Sequence, residues 1–427
     1  MDSVIRQSAL VSLRREWLAT RLRAARAVLA LVFLGAFPVV VGLWLLLLSR
    51  GAGTFVLDFH RELWPGGRAV LDGRSPFPPA DAAVLASGAN FVFPAPVAYL
   101  MAPLALIPAA AADALFAVVL ITAGFLMLRV AGVRDWRCYG AAFLSAPMYY
   151  GVQNGNLTLL LGLGAALAWR HRDRVAIAGA LVGVVVAAKI FLWPLLVWLV
   201  ATRRYAAAAV AAGTAAAVTA ASWAALGLGL GGFVHYLQIL RVLAGVFDDQ
   251  SYTPFALGLE LGLPSGAARA IGLCLAALAL AACVVAARRG RGDARSFTLA
   301  LVAALLFSAI VWLHYFALVF VPLAILRPRY SVVWLIPLVA WICPAAFNGV
   351  AWQTGAMLLI AAVTFLAAIA ERSARAVRLR TGAVERPGPS DIAAASPWLP
   401  RIVPQSEGAS AWGKRARGAK RKATSGA

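Results

Sequence analysis

The sequence predicts an all-α integral membrane protein with about twelve transmembrane helices. Hydrophobic residues make up 62% of the 427 residues and charged residues 13%, whereas a soluble domain is nearer half apolar and a quarter charged. Apolar runs recur along most of the chain, and they lack the alternation of membrane-barrel strands. Because backbone groups in lipid must bond within their own segment, these runs are predicted to be helices.

The net charge of +22 indicates orientation in a membrane rather than nucleic-acid binding. The arginines lie in short segments between apolar runs, which is the pattern of cytoplasmic loops. If every basic cluster is cytoplasmic, an even number of crossings must separate consecutive clusters. Both termini are then cytoplasmic and the protein is a multi-pass protein of the plasma membrane, with its basic C-terminal end on anionic lipid.

That rule divides the chain into a basic cytoplasmic N-terminus at 1–26, a membrane domain at 27–370, and a basic, disordered cytoplasmic tail at 371–427. External loops are predicted at 49–110, where the first loop carries amphipathic helices, and at 227–265. Within the first of these, the proline-rich stretch 91–108 is predicted to be a short external or re-entrant helix. The predicted spans are 27–48, 111–130, 137–152, 156–170, 175–188, 190–201, 206–226, 266–287, 297–312, 315–326, 331–346 and 350–370.

Two of the predicted hairpins are tight, and each could instead be one long helix. The segment 175–201 turns at Lys189, and the segment 296–326 turns at His314. A single helix at 175–201 would put the arginines at 170–174 and 203–204 on opposite sides of the membrane. The charge rule therefore favours the hairpin.

This topology gathers polar side chains on the external side of the membrane. An ionisable residue at membrane depth costs about 2.5–3.5 kcal/mol on insertion scales, so it usually serves a site. The pattern predicts an active site or translocation pocket that opens outward. The external set is Asp58, His60, Glu62, Gln153, Asn154, Asn156, Lys189, His235, Asp248, Asp249, Gln250, His314 and Asn348.

Each candidate has a simpler alternative. Asp58 could cap a helix through its i+3 and i+4 neighbours, and the 153–156 segment could be only a polar turn. Lys189 could extend its ammonium group to the membrane interface, and His314 could belong to an interfacial aromatic belt. For the acids at 248–249 a solvated loop is the favoured interpretation.

The sequence shows no metal or cofactor requirement. It has no phosphate-binding loop, dinucleotide fingerprint or zinc-protease motif. The four cysteines lie singly in apolar runs without metal-ligand spacing, so they are predicted to pack in the core. They are Cys138, Cys274, Cys283 and Cys343.

Several segments in a fixed order resemble glycosyltransferase family 87, a GT-C-class family of polyprenyl-phosphate-mannose-dependent α-mannosyltransferases. An acid follows the first span at Asp58, and an amide-rich turn follows the proline-rich stretch. Departures occur at 155–158, which reads Gly-Asn-Leu-Thr, and at 93–96, which reads Phe-Pro-Ala-Pro. The resembling segments are Asp58 with 69–77, 91–97, 155–161, 178–194 with Arg203 and Arg204, and 310–315.

The resemblance implies a GT-C-type helical bundle and inverting transfer of a hexose, mannose above all. The donor would be a polyprenyl-phosphate sugar, and the acceptor an envelope glycolipid or polysaccharide at the external face of the bilayer. Asp58 is the expected general base, with His314 as a possible partner. Lys189 and Arg61 would bind the donor phosphate. Gln153, Asn154 and Asn156 would bind sugar or acceptor hydroxyls.

Two other functions remain open from the sequence. A transporter or flippase for a lipid-linked or anionic substrate would explain an intramembrane lysine and short helices. It predicts interrupted helices in two matching halves, and no convincing repeat is present. A non-catalytic scaffold would leave the external grouping of Asp58, Lys189 and His314 without a reason.

Overall fold

The computed structural model describes residues 2–248, 250–289, 292–343 and 350–380, and these contain helices and no strands. Short 3-10 or π segments connect or continue several of the helices. The α-helices are α1 (Asp2–Leu31), α2 (Phe37–Gly51), α3 (Trp64–Leu71), α4 (Ala82–Ala86), α5 (Ala95–Met101), α6 (Ala109–Ala131), α7 (Trp136–Phe143), α8 (Ala146–Gln153), α9 (Thr158–Arg170), α10 (Val175–Ala188), α11 (Pro194–Ala201), α12 (Tyr205–Leu226), α13 (Gly229–Val246), α14 (Pro254–Glu260), α15 (Ser265–Arg288), α16 (Asp293–Phe307), α17 (Phe320–Leu326) and α18 (Ala351–Arg380).

The predicted all-helical membrane fold is confirmed. Six helical stretches are long and apolar enough to cross a membrane: Trp17–Gly51, Ala109–Ala131, Tyr205–Leu226, Gly229–Val246, Ser265–Arg288 and Ala351–Ala370. Shorter apolar helices lie between them. The count of twelve crossings remains a prediction.

The chain divides into two compact units, Met1–Arg375 and Ala376–Ala427. Of the second unit the structure describes only the end of α18. The predicted tail from 381 onward, and the predicted external residues Asp249 and Asn348, lie outside the described residues. The predicted boundaries at 26 and 370 both fall within helices rather than at breaks.

The first helix approaches the bundle closely where a glycine permits it. Residues 32–36 form a π-helical turn between α1 and α2. A Cβ atom at Gly140 in α7 would lie 1.7 Å from the backbone oxygen of Leu34. Small residues allow such backbone contact between membrane helices, and here Gly140 lets the π-helical turn pack directly on α7.

The segment 175–201 leaves one end of the bundle and returns to it. Helix α10 ends at Lys189, whose backbone is extended at φ −149° and ψ 105°. Arg204, which follows α11, donates to Asp173 at 2.9 Å and to Asp293 at 2.6 Å. Arg172 lies 3.3 Å from the same Asp293. These contacts hold both flanks of the segment together, which supports the predicted hairpin.

Helix packing agrees with that course. Gly179 of α10 approaches Ala207 and Val210 of α12, and Gly183 approaches Ala211 and Thr214 one turn further along both helices. Because the contacts advance together, α10 and α12 run in the same direction. The residues from 190 to 201 must therefore return between them.

The segment 296–326 also turns back. Helix α16 starts at Asp293, beside Arg172 and Arg204. After the break at 308–312, residues 313–319 form a 3-10 helix that leads into α17. Beyond α17, the backbone N–H of Tyr330 donates to Asp135 at 3.1 Å. Asp135 follows the C-terminal end of α6. This segment therefore also begins and ends at one end of the bundle.

We call this the basic end, defined by Asp135, Arg172, Asp173, Arg204 and Asp293, and the opposite end the site end. Helices α9 and α10 contain 13 and 14 residues, so each spans about 20 Å at 1.5 Å per residue. The hydrocarbon core of a bilayer is about 30 Å thick. Each of these two helices is therefore shorter than that core is thick.

The interval 227–265, predicted as a loop, is mostly helical, which is a correction. One face of helix α13 is apolar and exposed, with Leu230 85% exposed. Its first half packs on α12 through Phe233 and Trp223, and Phe247 just after its end packs on Trp312. Both of its ends therefore contact the site end, and its other face closes one side of a cavity there.

Candidate functional site

A cavity of about 870 Å³ lies at the site end of the bundle. One part of its wall carries the polar residues Asp58, Glu62, Gln153, Asn154, Asn156, Lys189 and His314, together with Tyr150 and Tyr315. Another part is apolar and comes from α13 and from the breaks after α10 and α16. Six of the seven predicted site residues thus line one space.

Asp58 is held at this wall by the turn between α8 and α9. Its backbone N–H donates to the carbonyl of Asn154 at 2.6 Å, and its Oδ2 accepts from the Asn156 side chain at 2.7 Å. The side chain makes no capping bond to the π-helical turn Phe59–Leu63 that follows. The capping alternative for Asp58 is therefore wrong. The carboxylate contacts the cavity instead of the helix.

The environment of Asp58 raises its pKa to about 6. Burial is the largest cause, since it penalises the charged form. The hydrogen bond from Asn156 and the charge of Lys189 act in the opposite direction. A carboxylate with a pKa near 6 is ionised at neutral pH and still basic enough to accept a proton, which suits a general base.

Asn156 is oriented by its own helix. Its Oδ1 accepts from the backbone N–H and the hydroxyl of Thr158, at 3.3 Å and 3.0 Å, so its amide N–H₂ points to Asp58. The preceding Gly155 has φ +66°, and a Cβ there would lie 2.9 Å from Cβ atoms of Val56 and Phe59. A glycine is needed for this close approach. It lets the 153–156 turn press against the segment that carries Asp58.

The other two amides also have protein partners. Gln153 is buried, and its Nε2 donates to the backbone oxygen of Thr54 at 2.6 Å. The side-chain amide of Asn154 lies 3.1 Å from Nδ1 of His314. All three amides line the cavity, while these contacts also tie the turn to its neighbours. Their binding of sugar or acceptor hydroxyls stays a prediction.

His314 is 2% exposed and its Nε2 is a buried atom without a hydrogen-bond partner among the described residues. With Nδ1 accepting from the Asn154 amide, the proton of the neutral ring sits on Nε2. The Nε2 proton is then left without a partner among the described residues. In this tautomer Nε2 cannot also accept a proton.

Lys189 lies at the break after α10 and points into the cavity. Its Nζ hydrogen-bonds to the hydroxyl of Tyr315 and lies 5.0 Å above the ring of Phe93. Its charge acts on both Asp58 and Glu62. The ammonium group of Lys189 therefore does not extend to the membrane interface, because the side chain faces the acids that line the cavity.

Arg61 is not brought to this site, which corrects its prediction as a phosphate ligand. Its side chain is exposed and does not line the cavity. Nearby His60 is also exposed and pairs with Asp113 at 2.8 Å. His235 donates to the carbonyl of Pro78 at 2.8 Å, which fixes the first loop to α13. Asp248 does not line the cavity either.

Two cavity residues were not predicted as site residues. Glu62 is four residues after Asp58 and lines the same wall. That i, i+4 spacing is visible in the sequence. Tyr315 adjoins His314 and contacts Lys189, but a tyrosine in an aromatic run carries no distinctive signal. In the part of the chain that the structure describes, no group of three or more His, Cys, Asp or Glu residues could hold a metal ion.

The fold and the cavity define a helical membrane protein with a recessed polar site beside an apolar wall. The model of glycosyltransferase family 87 matches residues 91–313, more than half of the 427 residues. The chain belongs to glycosyltransferase family 87, as its sequence resemblance predicted, and it is a membrane glycosyltransferase. No curated protein and no solved structure matches the chain.

The matched region contains Asn156 and Lys189, begins after Asp58 and ends one residue before His314. The family match therefore supports the class of reaction but does not cover Asp58. The case for Asp58 depends on its position in the cavity and on its contact with Asn156.

Proposed function

We propose that this protein transfers a hexose, mannose in preference, from a polyprenyl-phosphate donor to an envelope glycolipid or polysaccharide. The transfer inverts the anomeric centre and takes place at the extracytoplasmic face, in a GT-C-type bundle of about twelve spans. One observation carries the proposal. The same cavity joins Asp58 and Lys189 to a wall suited to an isoprenoid chain.

The apolar part of the cavity supports a lipid-linked donor. Phe191, Trp193, Phe307, Leu240 and Leu243 line it. Ile190 at its edge is 69% exposed. In a membrane this part of the outer surface would face lipid. Burying an isoprenoid chain here is favourable by about 25 cal/mol per Å² of apolar surface, so a lipid-linked sugar is preferred over a nucleotide sugar.

Asp58 is the base in this mechanism. It takes the proton of an acceptor hydroxyl while that oxygen attacks the anomeric carbon. The bond between that carbon and the phosphate oxygen breaks, and its electron pair leaves with the lipid phosphate. Attack opposite the leaving group inverts the configuration, so a β-linked donor gives an α-linked product. Nε2 of His314 can donate a hydrogen bond to a substrate oxygen.

Lys189 is the partner of the leaving phosphate. Charge develops on that phosphate as the glycosidic bond breaks, and a preorganised cation stabilises it. Lys189 is the only cationic side chain among the described lining residues, and it lies close enough to Asp58 for each charge to affect the other. No metal ion is part of the proposed mechanism.

The first test is transfer of label by the purified protein. With labelled polyprenyl-phosphate mannose and envelope lipids, label should move to a glycolipid or polysaccharide fraction, equally well with or without EDTA. Nucleotide-linked mannose should give no direct transfer. Transfer from the nucleotide sugar alone would contradict the proposed donor, and movement of an unchanged donor across vesicles would instead support a transporter.

The second test concerns the side of the membrane. In a Cys274→Ser background, a cysteine placed at exposed Arg61 should react in intact cells with a membrane-impermeant maleimide. A cysteine placed at exposed Arg174, next to the basic end, should react only after the cells are permeabilised. The opposite pattern would put the site end in the cytoplasm and overturn the extracytoplasmic assignment.

A further inference from the structure

Glu62 is a second carboxylate at the polar wall, and the mechanism above gives it no role. It lies in the π-helical turn Phe59–Leu63 directly after Asp58. Both side chains line the cavity, while Arg61 between them is exposed. Among the described residues, no hydrogen-bond donor meets the Glu62 carboxyl group, in contrast to Asp58 with its bond from Asn156.

The charges of the cavity do not suit an anionic ligand when both acids are ionised. Asp58 and Glu62 carry two negative charges, and Lys189 carries the one positive charge on the described lining residues. The phosphodiester of a lipid-linked sugar adds a third negative charge. Like charges repel strongly in a partly buried site, because water screens them less. A bound donor therefore favours uptake of one proton.

Of the groups that face this space, Glu62 is the one best placed to take that proton. The amide of Asn156 stabilises the ionised form of Asp58. An imidazolium at His314 would face the charge of Lys189, and Tyr315 is already bonded to Lys189. Burial and the charge of Asp58 raise the pKa of Glu62 well above its ordinary value, against the smaller effect of Lys189.

We propose that Glu62 binds a proton when the donor enters and gives a hydrogen bond from its carboxylic O–H to a phosphate oxygen of the donor. This inference rests on the proposed function, because it needs a lipid phosphate in the cavity. The proton comes from solvent and returns to solvent when the lipid phosphate leaves. Asp58 then acts as an ionised base, and Glu62 acts as a neutral hydrogen-bond donor.

Calorimetry of the wild-type protein tests this directly. A short-chain polyprenyl-phosphate mannose is bound without acceptor, in pairs of buffers that differ in ionisation enthalpy, from pH 6 to pH 9. Proton uptake per donor should rise toward about one as pH rises, and donor affinity should then fall about tenfold per pH unit. Donor binding without proton uptake at any pH would overturn the role of Glu62 and leave the proposed function intact.

Variants assign the proton to one carboxyl group. Glu62→Gln should bind donor with less proton uptake than the wild type, since an amide can still donate but cannot take up a proton. Uptake that remains near pH 8 belongs to Lys189, whose pKa is lowered to about 8 by burial. Asp58→Asn should keep the proton uptake. Loss of uptake in Asp58→Asn with retention in Glu62→Gln would overturn the assignment. If Glu62→Gln does not fold, Lys189→Met gives the same comparison, because it should keep the proton uptake if Glu62 takes the proton and lose it if Lys189 does. Absence of donor binding by the wild type at every pH would overturn the proposed function as well.

Discussion

Replacing Asp58 with asparagine should lower kcat by about 10²–10⁴-fold, the range that a positioned general base contributes. The change keeps the shape of the side chain and leaves an oxygen to accept the hydrogen bond from Asn156. In the wild-type protein the amide nitrogen of Asn156 lies 2.7 Å from Oδ2 of Asp58. It removes only the ability to take a proton. Donor binding should therefore change far less than turnover.

The same residue sets the acid limb of the pH profile. The pKa of Asp58 is raised to about 6, chiefly by burial, and a base must be unprotonated to act. Activity should therefore be lost as pH falls through about 6, with kcat/KM dropping tenfold per unit below it. Above that value Asp58 is ionised and adds no further pH dependence to kcat/KM. In the Asp58→Asn variant the residual activity should not show this limb.

The matched control is Asp72→Asn in the same loop. Asp72 is paired with Arg68 and Arg74 at about 3 Å and does not line the cavity. Its replacement should change kcat less than twofold, because this exposed ion pair lies outside the cavity and exposed pairs contribute little to stability. Near wild-type turnover by a folded Asp58→Asn protein would remove Asp58 from the chemistry.

Lys189→Met should lower kcat/KM for the donor by about 10²–10³-fold, as expected when one preorganised partner of a developing charge is lost. Methionine keeps an unbranched apolar stem against Phe93 and Tyr315 but cannot neutralise a phosphate. The variant should use the donor less efficiently, whereas the KM for the acceptor should change little. Steady-state kinetics with each substrate varied in turn measures this difference.

Arg61→Met is the control for Lys189. Both changes remove one positive charge near the first loop, but Arg61 is exposed and lies outside the cavity. Its kinetics should stay within about twofold of the wild type. Thermal stability must be followed in parallel, because Lys189 also bonds to Tyr315. Unchanged donor dependence in a folded Lys189→Met protein would exclude Lys189 from the phosphate site.

The return of the segment 175–201 to one end of the bundle was the most predictable part of the fold. Counting arginine clusters predicted that residues 170–174 and 203–204 lie at the same end, and Arg204 is found paired with Asp173. The reason is that basic residues resist crossing a membrane, so their spacing constrains the parity of the spans. The prediction missed helix α13, whose hydropathy is the lowest of the six apolar stretches and one of whose faces lines the cavity.

The site was predictable in its members but not in its contacts. Polar residues between apolar runs are conspicuous, so Asp58, Lys189 and His314 could be selected without a structure. Arg61 and Glu62 are neighbours in sequence, and only the path of the π-helical turn places Glu62 at the cavity and Arg61 in the open. A pattern of residue types cannot show which side chain of this turn faces the cavity.

The sequence by itself determined that this is a helical membrane protein and that it belongs to its glycosyltransferase family, because apolar content and ordered motifs are properties of the linear chain. Only the tertiary structure decided how the site is built. The bond between Asp58 and Asn156 joins residues 98 positions apart, and that between Asn154 and His314 spans 160. Such contacts arise from close packing at Gly155 and from the helix break at Lys189, where distant segments meet in three dimensions.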